Sequence, residues 1–199
     1  FIYAFYLLAM TPMQIIFDHF WQLRFHVQRG TFLKYYFRPM NMMFYYTSDM
    51  FDIKGIMMVV LGIVLMVYSS IQLDLTWTFG GILMLLVALF SSSLVTVSTV
   101  VMSSCTAFWI YNSYPVMDLA RRLRDFSPYP MTIFDGFFKF LLTYIIPIGF
   151  IAFYPSQYFL DPSSVSWLFY LTPIIGLVFF WLTYKVWTAG VNNYTGTGS

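Results

Sequence analysis

The chain has 199 residues, 60% of them hydrophobic and 9% charged, with a net charge of +2 and a mean hydropathy of +0.73. An ordinary soluble domain carries about 25% charged residues, so this composition excludes a water-soluble globule and indicates an all-α integral membrane protein, one transmembrane domain over residues 1–199. The small net charge offers no hold for nucleic acid, and the single Cys105 excludes an intrachain disulfide or a multi-cysteine metal site.

A helix needs about 20 mostly apolar residues to cross a bilayer. Five stretches qualify, at about residues 1–17, 55–71, 77–105, 134–153 and 165–187. The first, "FIYAFYLLAMTPMQIIF", begins at Phe1 with no basic stretch before it, which argues against a signal peptide. Arg24, Arg29, Lys34, Arg38 and Lys54 fall between spans one and two, and Arg121, Arg122 and Arg124 between spans three and four. The connections "SIQLDLT" and "YPSQYFLDPSSV" carry only Asp74 and Asp161. Short loops rich in Lys and Arg stay in the cytoplasm, so the two basic loops are expected inside, with Lys139 and Lys185 reaching the inner headgroups from span ends. A five-span chain then enters from outside and ends inside. A sixth, N-terminal span is expected upstream, placing both termini in the cytoplasm.

The first basic loop is too polar to span and too aromatic to float. "FDHFWQLRFHVQRGTFLKYYF" interleaves Phe, Trp, Leu and Val with His19, Arg24, His26, Arg29 and Lys34, the pattern of an interfacial amphipathic helix. Gly30 divides it, and Pro39 disfavours helix at Arg38. Two readings stand: a membrane-surface anchor, or a docking element for a partner protein.

In the third span, Ser92, Thr96, Thr99, Ser103 and Thr106 recur at spacings of four and three and share one helix face. Such a stripe either lets a neighbouring helix approach closely or lines a polar substrate path. The second basic connection, "MDLARRLRDFSPYP", is expected as a surface helix or a second partner contact. Pro147, followed by Gly149, predicts a kink or hinge in the fourth span.

Catalytic chemistry finds little support. The absence of Glu excludes the zincin motif and Glu-based acid catalysis. His19 and His26 share a helix face without a third ligand of suitable type, so no metal site is expected and both read as interfacial polar residues. There is no GxxxxGK[ST] and no G-x-S-x-G. The chain is therefore not read as an enzyme, and any ATP-driven activity must borrow a motor. "NYT" at Asn193 has the glycosylation pattern but falls on the expected cytoplasmic side.

Three segments, "HVQRGTFLKYYFRPMN", "ARRLRDFSPYPMTIFDGFFKFLLTYIIPIGFIAFYPSQYFL" and "VNNYTGTGS", together resemble the small six-span permeases of the bacterial ABC-2 family. The resemblance rests on the order of a Gly, aromatics and Arg-Pro in the first loop, a "YP" before one span, a Pro and a second "YP" at its exit, and the Tyr-x-Gly-x-Gly-Ser tail. It covers nearly the whole chain; the family's first span is absent. The resemblance implies a permease subunit of an ATP-driven exporter in the bacterial plasma membrane, carrying an amphipathic or hydrophobic compound such as a drug, lipid or peptide. It implies two separate ATPase subunits that hold ATP and Mg, since no cofactor is expected in this chain, and a second copy or a related permease. In that setting the first loop is a coupling helix: Arg29, Gly30, Phe32, Lys34, Tyr35, Tyr36, Arg38 and Pro39 are the expected motor contacts, with Phe32, Tyr35 and Tyr36 as packing anchors. Ser92, Thr96, Thr99 and Ser103 line the path or pack helices, and Pro147 is the hinge. A motor-independent channel, a lipid-moving protein and a structural membrane subunit share this composition; a co-purifying P-loop ATPase discriminates among them.

Overall fold

The computed structural model describes residues 1–194 apart from Arg38, Pro162 and Ser164, and the backbone but not the side chain of Lys54. Among the described residues all regular structure is helical. Three helices are long and apolar enough to cross a membrane: α4 (Lys54–Gln72), α5 (Phe79–Cys105) and α9 (Leu168–Asn193). Thr78 caps α5 by accepting from the Gly81 amide at 3.1 Å, and α5 has 27 residues, about 40 Å at the α-helical rise. The short helix α1 (Ile2–Pro12) continues through a π-helical turn, Met13–Phe17. Pro12 has no amide hydrogen to give the preceding turn, and a local widening follows it.

Close approaches fix the directions of these helices. Ile15 lies against Gly55 and Leu8 against Gly62, so α1 and α4 are antiparallel. Ser91 faces Gly176, Ser98 faces Thr183 and Phe108 faces Gly190, so α5 and α9 run parallel. The end of α1, the start of α4 and the ends of α5 and α9 therefore gather at one end, where the basic loop 18–53 sits. Phe1, Trp77 and Phe159 meet at the opposite end, with ring centroids 5.8 to 6.5 Å apart.

The expected fourth span is discontinuous. α7 (Gly136–Phe140) passes into a π-helical turn, Leu141–Ile145, and then stops. Ile146 is extended (φ −117°, ψ 96°), Pro147 follows, and a 3-10 turn, Ile148–Phe150, leads to α8 (Phe153–Leu160). The Pro147 ring disfavours the α conformation in the residue before it, so the expected kink is a full break. The Ser92 hydroxyl donates to the Phe150 carbonyl at 3.0 Å and pins the break to α5.

The second basic connection forms α6 (Tyr114–Arg124), which packs along α5 rather than lying free at the surface. Its inner face carries Ser113, Met117 and Arg124, all buried, while Asp118 holds Arg121 and Arg122 on the outer face at 2.8 and 2.7 Å. The Arg124 guanidinium rests on the π-helical turn that follows α1, with Nη1 4.0 Å from the Met13 sulfur.

Candidate functional site

Loop 18–53 folds into a cap over the ends of α5 and α9. It comprises a 3-10 turn, Asp18–Gln22, then α2 (Leu23–Gln28), a second 3-10 turn, Thr31–Tyr35, and α3 (Met42–Ser48). Gly30 separates the two halves at φ 72°, a left-handed conformation that glycine adopts without a Cβ penalty. Asn41 starts α3, its Oδ1 accepting from the Met43 and Phe44 amides at 3.0 and 3.2 Å.

A 3-10 helix repeats every three residues, which decides what the stretch 31–37 shows and what it hides. Phe32 and Tyr35 share the inner face and are fully buried. Phe32 meets Phe108 at 5.2 Å, Tyr194 at 5.4 Å and Trp187 at 5.8 Å, clamping the loop onto the helix ends. The expectation that Phe32 and Tyr35 offer their rings to a partner is thus corrected: both serve the chain's own core. Tyr36 is half-buried, and its hydroxyl donates to the Val191 carbonyl near the end of α9. The outer face carries Thr31, Lys34 and Phe37, with Arg29 and Pro39 also exposed. Phe37, 82% exposed, is the residue that the sequence reading passed over. Its signal was its offset from Phe32 and Tyr35 in a period of three rather than 3.6. Arg38 lies outside the described residues.

Polar contacts hold the cap together. Asp49 accepts from Lys34 Nζ at 2.8 Å and from the Tyr35 hydroxyl at 2.6 Å. Burial alone raises a carboxyl's pKa, but these two donors hold Asp49 below its usual range. Burial, together with the hydrogen bond to Asp49, pushes the Tyr35 phenol up to about 12. His19 is buried with its ring 4.5 Å from Tyr46 and 5.1 Å from His26, inside the cap rather than at a polar surface as expected. Burial, reinforced by His26, pushes His19 down to about 4.

This gives the cap a pH dependence of definite sign. Below about 6.5 the unfolded loop binds a proton at His19 that the folded loop refuses, so cap stability falls with pH until about 4. Each pH unit inside that window is worth at most about 1.4 kcal/mol. Hydrogen exchange of residues 19–48, corrected for intrinsic rates, is expected to show less protection at pH 5 than at pH 7, and His19→Asn should flatten the difference. Equal protection at both pH values in the parent protein would remove this account.

The hydroxyl stripe of α5 turns inward. Ser92, Thr96, Thr99 and Ser103 are all buried. Thr96 donates to the Ser92 carbonyl and Thr99 to the Val95 carbonyl, each at 2.9 Å, and Ser103 donates to the Val100 carbonyl at 2.9 Å. Hydroxyls satisfied by their own helix are free to let a neighbour approach; α9 itself meets the adjoining face of α5, with Ser91 against Gly176 and Ser98 against Thr183.

A bundle of apolar helices with a basic, aromatic cap clamped to their ends defines a polytopic membrane protein. The family profile described as ABC-2 family transporter protein matches residues 1–198, so the chain belongs to the ABC-2 transporter family. Comparison with characterised proteins and with solved structures gives no significant match.

Proposed function

We propose that this chain is the permease subunit of an exporter in the bacterial plasma membrane, and that the cap is the surface through which two separate ATPase subunits drive it. A second permease copy, or a related permease, completes the pathway, and the cargo is an amphipathic or hydrophobic compound. ATP and Mg reside in the motor subunits. Membership of the ABC-2 family supports the permease role. One observation carries the coupling role: the same short 3-10 turn buries Phe32 among the ends of α5 and α9 and is followed at once by the exposed Phe37. A push on the outer face therefore reaches two long helices through packed rings, with no flexible linker between. Pro147 supplies a break where the segment 136–160 can pivot relative to α5. A motor shifts such an equilibrium only by binding its states unequally.

Exposed aromatics centred in an interface commonly cost 2 kcal/mol or more when removed. Phe37→Asp combined with Arg29→Ala is therefore expected to lower co-purification of the ATPase subunit at least tenfold, with the permease still monodisperse. Unchanged co-purification and unchanged ATPase stimulation would exclude the cap as the motor contact.

A further inference from the structure

His19 and His26 form a titratable pair inside the cap that the coupling role leaves unused. Their ring centroids are 5.1 Å apart, and both rings pack on Tyr46, at 4.5 and 6.0 Å. The surrounding hydrogen bonds assign the tautomers. The Tyr35 hydroxyl gives its proton to Asp49 at 2.6 Å, so its oxygen accepts from His19 Nε2 at 3.5 Å. Thr31 likewise donates to the His26 carbonyl at 3.4 Å and accepts from His26 Nδ1 at 3.1 Å. His19 Nδ1 and His26 Nε2 are then bare lone pairs, and both are buried without a hydrogen-bond partner. Each can take a proton, but the cation formed has no carboxylate of its own. Asp49, the carboxylate that acts on both rings, already holds Lys34 and Tyr35, while Lys34 repels added charge on either ring and Arg29 on His26. The remaining titratable neighbours, Tyr46 and Cys105, are buried and neutral.

We propose that this pair is an acid latch on the cap: with both rings neutral, Phe32 and Tyr35 stay clamped on the ends of α5 and α9, and protonation of both rings opens the clamp and disengages the motor surface from the spans. A charge inside a ring-packed core must be paired or hydrated, and here hydration requires the cap to lift. Opening and protonation are therefore linked. One histidine raises the open fraction up to about tenfold per pH unit below about 6.5, and two acting together raise it up to about a hundredfold. The pair turns a gradual response into a steep one. That opening uncouples transport rests on the exporter reading; that acid opens the cap does not.

Cys105 supplies the readout. It is the single cysteine of the chain, buried in the cluster that holds Phe20, Phe32 and Tyr46, so a thiol reagent reaches it when the cap opens. The complete complex in lipid nanodiscs is labelled with 4,4′-dithiodipyridine from pH 7.5 to pH 5, Cys105 is quantified by mass spectrometry, and each rate is divided by that of a free cysteine peptide at the same pH. The corrected rate is expected to rise more than about tenfold per pH unit between pH 6 and pH 5. His19→Gln or His26→Gln should each cut the rise to about tenfold or less, and the double variant should abolish it. A pH-independent rate in the parent protein overturns the proposal whatever the variants do, as does an undiminished rise in the double variant. A rise that His26→Gln leaves unchanged means that His19 acts singly and overturns the pair. ATPase activity is followed in the same samples against the ATPase subunits alone. Loss of permease-dependent stimulation at pH 5.5 with the subunits still co-eluting, restored in the double variant, is the expected functional result. Labelling that rises in acid while stimulation persists removes the cap as the motor contact and keeps the latch; pH-independent labelling removes the latch alone.

Discussion

Gly176→Leu is expected to abolish the packing of α5 on α9 and to yield protein that aggregates in mild detergent. A Cβ at position 176 would lie 2.6 Å from the Ser91 carbonyl oxygen and 3.2 Å from the Ser91 carbonyl carbon and Cα. The obstacle is the backbone of a facing helix, which cannot rotate aside as a side chain would. Overpacking of a tight core costs about 1–3 kcal/mol even where side chains can adjust, and here the two long helices must separate. The Thr183 hydroxyl, 3.5 Å from the Ser98 carbonyl and 2.9 Å from that of Phe179, would lose the first of these contacts. Gly80 is the internal control: a Cβ there meets nothing within 4 Å, so Gly80→Ala should be neutral or stabilise by up to about 1 kcal/mol through reduced backbone freedom. Thermal shift by size-exclusion chromatography separates these outcomes. Monodisperse Gly176→Leu protein with a parental melting temperature would show that α5 and α9 are not in this register.

Phe32→Ala is expected to release the cap, at a cost of about 3–5 kcal/mol for an aromatic side chain removed from a core. Phe32 is fully buried, with Tyr35, Tyr36, Tyr46, Phe108, Trp187 and Tyr194 all within 6.0 Å by ring centroid. The nearby Lys34–Asp49 ion pair, with side chains 48% and 27% exposed, is worth about 0–1 kcal/mol by comparison. Packing therefore outweighs the salt bridge, and Lys34→Ala should leave the cap in place. Increased hydrogen exchange or proteolysis confined to residues 18–53 in Phe32→Ala, with little change in Lys34→Ala, is the expected result. If the reverse order is observed, electrostatics and not ring packing holds the loop. Under the exporter reading, Phe32→Ala is further expected to retain ATPase binding through Phe37 while losing transport, because the push no longer reaches α5 and α9.

Pro147 and the hydroxyl stripe show where sequence reasoning reached its limit. A proline in an apolar run announces a departure from straight helix, but whether the chain kinks or stops depends on what catches the freed segment. Here Ser92 of α5 accommodates the Phe150 carbonyl, so the run ends in a break. The stripe left two roles open because spacing defines a face without naming what it faces. The structure buries that face, with Ser92 on the Phe150 carbonyl, while α9 meets the adjoining face of α5 at Ser91. Arg124 was read as a loop charge and is buried against Met13, 111 residues away in sequence.

By itself the sequence determined the membrane class, the long apolar stretches around 55–71, 77–105 and 165–187, the division of the basic loop at Gly30, and the family. All of these follow from local properties: the length of an apolar run against bilayer thickness, the conformational freedom of glycine, and the order of short motifs. The tertiary structure alone decided that Phe32 and Tyr35 turn inward while Phe37 turns out, that His19 is buried, and that α6 lies along α5. Those outcomes depend on contacts between residues tens of positions apart. An aromatic ring in a short 3-10 turn has no intrinsic inside or outside until the ends of α5 and α9 provide something to bury it against.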